Sequence, residues 1–478
     1  MHVKTQYRLL GGDIALAFFI LGAPASFLLG CLADSDSFSR SSLFGFTVLI
    51  GEGACFCTYF TSTYLGLYIT RALTGFSVGG ALPLLSSVLS DWFRPEERSS
   101  VMATVGVGTG VGIAFGQGIS GFVGPLYGWR APFLIVSIPA LVVALLVIFT
   151  VVDPVRGGSE TMFVRNDVQH FNQASNESGD EAGSVSSSEN QIAMVHVQQD
   201  MALTGSTNDA SGSRDEFMVQ RSHRNKKRTL LRSFMALLKP SFYAQHWKTA
   251  KALFTSRTVL LTMIQGAPGC IPWGIINTFL NDYLSEDCGF SVQAATSYIL
   301  LFGIGNFFGI CIGGLGGDFL YKKNPRYPSL LSGICAILGC FPMWMLINIA
   351  KVDGDRSLFH AIQLGFFSIL SGVGSGVTGP IVKSTLQNVT LPHSRGQAFA
   401  LLNTFDDFGR GLGPVFVAAL IIQFGNRQKA FNIGVAGWLF CGLFNSLIYF
   451  TLEDDLEKVR REFSETYASL AQVDSDSM

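Results

Sequence analysis

Apolar runs of about twenty residues, separated by short polar turns, recur along this chain and restrict its fold more than any other feature. At roughly 1.5 Å rise per residue, one such run in helical form crosses the hydrocarbon of a bilayer. The spans are expected at 11–33, 43–63, 65–90, 99–127 and 131–152, then at 259–284, 294–320, 328–349, 358–388, 396–424 and 430–452. The predicted fold class is therefore an all-α polytopic membrane protein of eleven transmembrane helices, five and then six. With 48% hydrophobic residues, 14% charged residues and a formal net charge of −1, the chain has no electrostatic footprint for nucleic acid. Eight of its nine cysteines fall inside apolar spans, where they read as small buried hydrophobes and not as a disulfide or metal framework.

Between the two groups of spans, residues 154–232 are rich in Ser, Asn, Gln, Asp and Glu and poor in aromatics. Such a segment cannot bury enough apolar surface to offset its ordering entropy, so a disordered linker is expected. It ends in a basic run, Arg221 to Arg232, followed at 233–257 by apolar residues at helical spacing among Lys, Arg and His. That pattern fits an amphipathic helix on the cytosolic leaflet, and equally a basic loop that only fixes topology. The domain reading is an N-terminal membrane half at 1–153, the linker at 154–232, the basic segment at 233–257, a C-terminal half at 258–453 and a tail at 454–478. Lys and Arg concentrate in the linker, at Arg94 and Arg98, at Lys322, Lys323 and Arg326, and at Arg395. The segment 282–293 lacks Lys and Arg, so linker and C-terminus are placed in the cytosol.

The stretch from Arg71 to Phe133 reads as two glycine-rich apolar helices joined by a charged elbow at 91–98. Small residues let membrane helices approach backbone to backbone. The same stretch is copied in the second half. An offset of 297 residues carries Gly75 onto Gly372, Gly79 onto Gly376, Pro83 onto Pro380, Arg98 onto Arg395, Gly112 onto Gly409 and Gly116 onto Gly413. With a different offset, Gly30-x-x-x-Asp34 matches Gly314-x-x-x-Asp318. Parallel halves joined by a long cytosolic linker are the architecture of a rocking transporter with its substrate between them.

These features resemble the major facilitator superfamily outside the linker. Gly30-x-x-x-Asp34 followed by Arg40 is similar to its cytosolic signature between helices 2 and 3, with Ser35 where a basic residue is usual. Arg71-x-x-x-Gly75-x-x-x-Gly79 is similar to the helix 4 signature, and Gly121-x-x-Gly124-Pro125 to the glycine–proline signature of helix 5. Within the superfamily the chain most resembles the Spinster-like lysolipid and sphingolipid transporters, through RALTG at 71–75, GWR at 128–130, DPVRGG at 153–158 and KKNPR at 322–326. That resemblance implies twelve helices and begins at the family's second. The first helix, with any acid it carries, is thus expected to be missing, through a truncated reading of the gene or a genuine eleven-helix chain. Spinster proteins also carry an acidic residue in helix 4 where Val78 stands here. Both departures weaken the carry-over of proton coupling.

The resemblance implies conformational gating by Asp34, Asp91, Arg98, Asp318 and Arg395 on the cytosolic face. Helix capping and topology signalling explain the same residues without gating. Arg71, two turns inside its span, faces a cavity or partner, or else snorkels to the outer interface. Asp406, Asp407 and Arg410 share a helix, at spacings of four and three that put at least one pair on one face. Their counterparts under the 297-residue offset are not ionisable. The cluster is thus a candidate for substrate or proton coupling, against the alternative of a static neutralised pair. Lys383 could reach it. Gln265, Pro268, Pro272 and Asn277 suggest a broken first helix in the second half, with freed carbonyls along the cleft. Gln117 is a weaker candidate.

The expected function is secondary active transport of a lipid-like or other small organic solute by alternating access, with proton coupling left open. A non-transporting membrane sensor or scaffold with the same fold is the alternative. No nucleophile–base pair or metal constellation points to an enzyme. The expected partners are a small-molecule or lipid substrate, protons and the lipid bilayer, with no cofactor, metal or nucleic acid. A monomer is expected, in the endolysosomal or plasma membrane. Tyr467 opens a four-residue match to an endolysosomal sorting signal, and the sequon at Asn388 falls on the cytosolic side.

Overall fold

The computed structural model describes residues 14–34, 38–154, 156, 240–351 and 357–476. The expected linker lies outside the described residues apart from its first few positions, and so do the side chains of Gln117 and Tyr467. The first half contains α1 (Ile14–Asp34), α2 (Arg40–Thr58), α3 (Tyr64–Trp92), α4 (Arg98–Tyr127) and α5 (Ala131–Thr150). After α6 (Pro240–Leu253), the second half runs through α7 (Arg257–Ile264), α8 (Gly266–Thr278), α9 (Val292–Cys311), α10 (Gly317–Lys323) and α11 (Tyr327–Ile349). It closes with α12 (Leu358–Gly376), α13 (Thr378–Asn388), α14 (Arg395–Phe424), α15 (Arg427–Val435) and α16 (Gly437–Asp476).

Among the described residues, eight helical segments are long and apolar enough to cross a membrane. Helices also occupy the other three expected spans, as α1, α4 and α14. The chain is an integral, multi-pass membrane protein. Its charged residues gather at helix ends, and its long apolar helices carry large exposed side chains such as Phe149 and Phe450, as lipid contact requires.

Glycine sets how the helices meet. A Cβ at Gly75 or Gly79 on α3 would collide with the carbonyls of Phe18 and Gly22 on α1. At the repeat-related positions on α12, Gly372 and Gly376 meet the carbonyls of Phe302 and Asn306 on α9 in the same way. One packing solution is used twice, because the same small residues recur at the same offset. The first helix of the second half is not broken as expected: α7 passes into α8 through Gln265, which keeps helical dihedrals, accepts from the Gly269 N–H at 3.0 Å and donates to Leu261 at 3.2 Å, so the two form one span, Arg257–Thr278. Pro272 supplies no N–H inside α8, and the Trp438 indole donates to the Gly269 carbonyl at 3.1 Å, across the gap to α16.

Candidate functional site

The two halves meet at one end of the bundle, at the C-terminal ends of α3 and α13 and the N-terminal ends of α4 and α14, and they meet crosswise. The Asp34 carboxylate, ending α1, accepts hydrogen bonds from the backbone N–H groups of Gly396 and Gln397, both at 2.8 Å, at the start of α14. Asp318, in α10, does the same to Ser99 and Ser100 at 3.0 and 3.1 Å, at the start of α4. Each half thus caps a helix of the other. A carboxylate suits the orphan N–H groups and positive dipole end of a helix N-terminus.

The arginines obey the same exchange. Arg395 donates to Asp91 at 3.0 Å, and Arg98 donates to Asn388 at 2.8 Å. Asn388 is the counterpart of Asp91 under the 297-residue offset, so one crossing carries a carboxylate and the other an amide. Arg40 also holds Asp91, at 2.6 Å, and the Asp91 side chain is fully enclosed. The sequon asparagine Asn388 is therefore buried and committed to Arg98.

Two further groups frame this layer. Asp153 accepts from the Arg40 and Ser41 N–H groups, each at 2.7 Å, and caps α2. Burial alone would raise its pKa, but the hydrogen bonds from Ser41, Ser39 and Arg40 outweigh burial and hold it below the usual carboxylate value. His246 of α6 meets the side chain of Gln397, whose backbone N–H Asp34 caps, and burial lowers its pKa. Arg40, Asp153, Asn388 and His246 were not singled out from sequence as gating residues. Applying the repeat offset to Asp91 would have found Asn388; the contacts of Asp153 and His246 bridge distant segments with no local signal.

Beyond the gate along the same helices lies a cleft of about 600 Å³ between the halves. From the second half Gln265, Asn277, Lys383, Asp406 and Arg410 line it, and from the first half Met102, Gly106, Thr109 and Ile113 of α4. Arg410 reaches both carboxylates at 3.3 Å, Asp406 through Nη2 and Asp407 through Nη1. Asp406 lies hard against the start of α8: a Cβ at Gly266 would collide with its Oδ1. Thr109, Gly110 and Ile113 are the repeat counterparts of Asp406, Asp407 and Arg410, and Ser86 is that of Lys383. All the ionisable groups lining the cleft therefore come from the second half.

Gln265 ties the α7–α8 helix to α16, donating to the Thr262 carbonyl at 3.0 Å and accepting from Cys441 Sγ at 3.0 Å and Asn445 at 3.3 Å. Asn277 is exposed to the cleft. Arg71 lies elsewhere, within the first half. It donates to Thr58 Oγ1 at 2.9 Å, and its guanidinium sits 4.6 Å from the centre of the Phe133 ring. It is not among the residues that line the cleft.

Two glycine-packed helical halves, capped crosswise at one end and enclosing a polar cleft, have the fold of a membrane transporter. The sequence profile of the Major Facilitator Superfamily matches residues 5–414, and the chain belongs to that superfamily. The 4-hydroxybenzoate transporter PcaK of Acinetobacter baylyi is 28% identical over 130 residues, 27% of this chain and 28% of that protein's length. The hexuronate transporter of Bacillus subtilis is 21% identical over 370 residues, covering 77% of this chain and 69% of that one. Human protein spinster homolog 3 is 27% identical over 154 residues, 31% of this chain and 28% of its own. Among solved structures, the proton:xylose symporter XylE superposes with a TM-score of 0.59 at 13% identity, covering 95% of this chain and 88% of that one. That last likeness speaks for the fold alone.

Proposed function

We propose that this chain is a secondary active transporter that moves a small organic solute by alternating access, and that Asp406 and Asp407 form its coupling site. The carrying observation is the placement of Asp406 and Arg410 in the cleft between halves that are held shut at the cytosolic face. A carboxylate lining the cleft, Asp406, that shares one guanidinium with a second, Asp407, has a second state within reach. A proton on either releases part of the arginine's charge, which is the minimum needed to couple a proton to solute movement. The gate supplies the conformational change, because the contacts of Asp34, Asp318, Arg98 and Arg395 run between halves and must break when the cleft opens on that side.

The similarity to transporters of 4-hydroxybenzoate and hexuronate favours a small organic acid. The lysolipid-like alternative draws support from the spinster homolog match and from the apolar part of the cleft wall, which includes Trp273, Ile310 and Trp438. The deciding experiment is flux into proteoliposomes holding the full chain, with and without a pH gradient. The solutes are radiolabelled 4-hydroxybenzoate, glucuronate, glucose and lysophosphatidylcholine. Gradient-driven uptake of one of them, reduced at least about tenfold in Asp406→Asn or Asp407→Asn, is expected. Uptake that both variants leave intact would make the cluster structural. No uptake of any solute would favour a sensor or scaffold.

A further inference from the structure

Lys383 is half-buried within a membrane-spanning segment and lines the cleft. Among the described residues its ammonium makes no hydrogen bond and has no carboxylate within ion-pair distance. A cation at that depth ordinarily carries a partner, because the cost of an uncompensated charge is several kcal/mol on the order of magnitude of burial penalties. Asp406 lies within electrostatic range of Lys383 but is engaged by Arg410 at 3.3 Å. Every ionisable group facing Asp406 can be named. Arg410 and Asp407 come from its own helix, Lys383 from α13, Cys270 from α8 and Cys441 from α16. With both carboxylates ionised, two cations and two anions leave this group neutral, yet one cation stands apart.

We propose that the transported solute is a monoanion whose acidic group lodges on Lys383, and that each anion crosses together with one proton carried by Asp406. This rests on the transporter reading above and assigns the charge of its solute. Protonating the Asp406 carboxylate makes the cleft one charge more positive. Arg410 keeps Asp407, and Lys383 then has an anion's worth of unmatched charge. The proton and the anion enter from the same side, leave on the opposite side, and return the group to neutrality. Empty and loaded clefts thus carry the same net charge, so rocking never drags an uncompensated ion through the low-dielectric interior. Trp273 and Trp438, with ring centres 6.5 Å apart in the same cleft, offer an apolar seat for the rest of the solute.

The test does not depend on knowing the solute. Trp92, Trp129, Trp247 and Trp344 are all exposed, so in the full chain they are replaced by Phe, leaving Trp273 and Trp438 as reporters. Iodide, a monoanionic quencher, is compared with acrylamide, a neutral one. Lys383→Met is expected to lower the iodide quenching constant about threefold or more and to leave acrylamide unchanged. Asp406→Asn is expected to raise iodide quenching and remove its pH dependence. Iodide quenching that Lys383→Met does not change, or that falls in parallel with acrylamide, overturns the anion site. In proteoliposomes, nicotinate and its uncharged relative nicotinamide probe the coupling. Uptake of nicotinate that moves net charge on a solid-supported membrane overturns the one-proton stoichiometry. If quenching behaves as expected while no solute of any charge is driven across, the anion site stands and the transporter reading fails, so the two failures are separable.

Discussion

The two halves of the molecule agree at the gate and disagree in the cleft. Asp34 and Asp318 cap opposite helices with nearly equal distances, and Arg98 and Arg395 reach across to equivalent positions. A few turns further along, α14 presents Asp406 and Arg410 where α4 presents Thr109 and Ile113. The flanks of those two helices differ as well. Gly409 is met by the Ala267 carbonyl and the Cys270 side chain on α8, whereas its counterpart Gly112 has no described residue close enough to touch an added Cβ. The crossed caps are shared by both halves, whereas among the described residues the ionisable groups that line the cleft belong to one. A residue shared by both halves is best read as hinge or lock, and one held by a single half as part of the cargo site.

Single substitutions made in matched pairs can break that division. The largest expected difference is at the arginine crossings. Asp91→Ala leaves Arg40 and Arg395 buried without their shared carboxylate and should cost about 3–5 kcal/mol, whereas Asn388→Ala loses one bond to a charged group and should cost about 1.5–3 kcal/mol. Thermal unfolding in micelles reads the stability. A Ser99→Cys, Ser384→Cys pair, whose hydroxyls lie 2.7 Å apart across the gate, reads closure as disulfide yield. Equal losses from Asp91→Ala and Asn388→Ala would mean that the crossings are energetically alike despite their chemistry.

Next come the glycines. Gly409→Ala drives a methyl into the backbone of α8 and should destabilise by about 1–3 kcal/mol, while Gly112→Ala should be neutral or slightly stabilising, since alanine is the better helix former. A Gly112→Ala variant that unfolds as early as Gly409→Ala would show that α4 is covered there. Smaller still are the caps. Asp34→Ala and Asp318→Ala should each cost about 1 kcal/mol, with Asp34→Ala the more harmful because Asp34 is the more buried, and both should lower the cysteine cross-link yield.

The smallest effect concerns α6. Burial lowers the pKa of His246, so the folded protein favours its neutral form. The docking of α6 is then fully present above the free value of 6.5 and weakens as pH falls below it. Hydrogen exchange of residues 240–253 should accelerate on acidification and lose that dependence in His246→Gln. Acceleration that survives in the variant would assign the effect to another group.

Much of this was legible before any coordinates. Apolar runs located the spans, because the bilayer makes hydropathy a direct readout of topology. The repeat offset carried the crossed arginine contacts, since Arg98 and Arg395 differ by the same interval as the glycines around them. The break expected around Gln265 is reduced to one turn residue with helical dihedrals, through which the backbone hydrogen bonds continue. What the sequence hid were meetings between distant segments: Asp153 with α2, His246 with Gln397, and Gly266 against Asp406. None of these has a periodic or local signature. Arg71, odd by its depth, turned out to sit against Thr58 and Phe133, a placement that helix packing decides and spacing does not.

The backbone contact between Gly30 and Gly396, where a Cβ on either would lie 2.5 Å from the other's carbonyl oxygen, has a mechanical consequence. Its pseudo-symmetric mate sets Gly314 against Ala103 and the Ser99–Ser100 backbone. No long side chain stands between the helices at either place, so nothing can stretch or change rotamer to let one side lift while the other holds. Two stiff contacts set apart from one another resist twisting, so under the alternating-access reading proposed above they would release together.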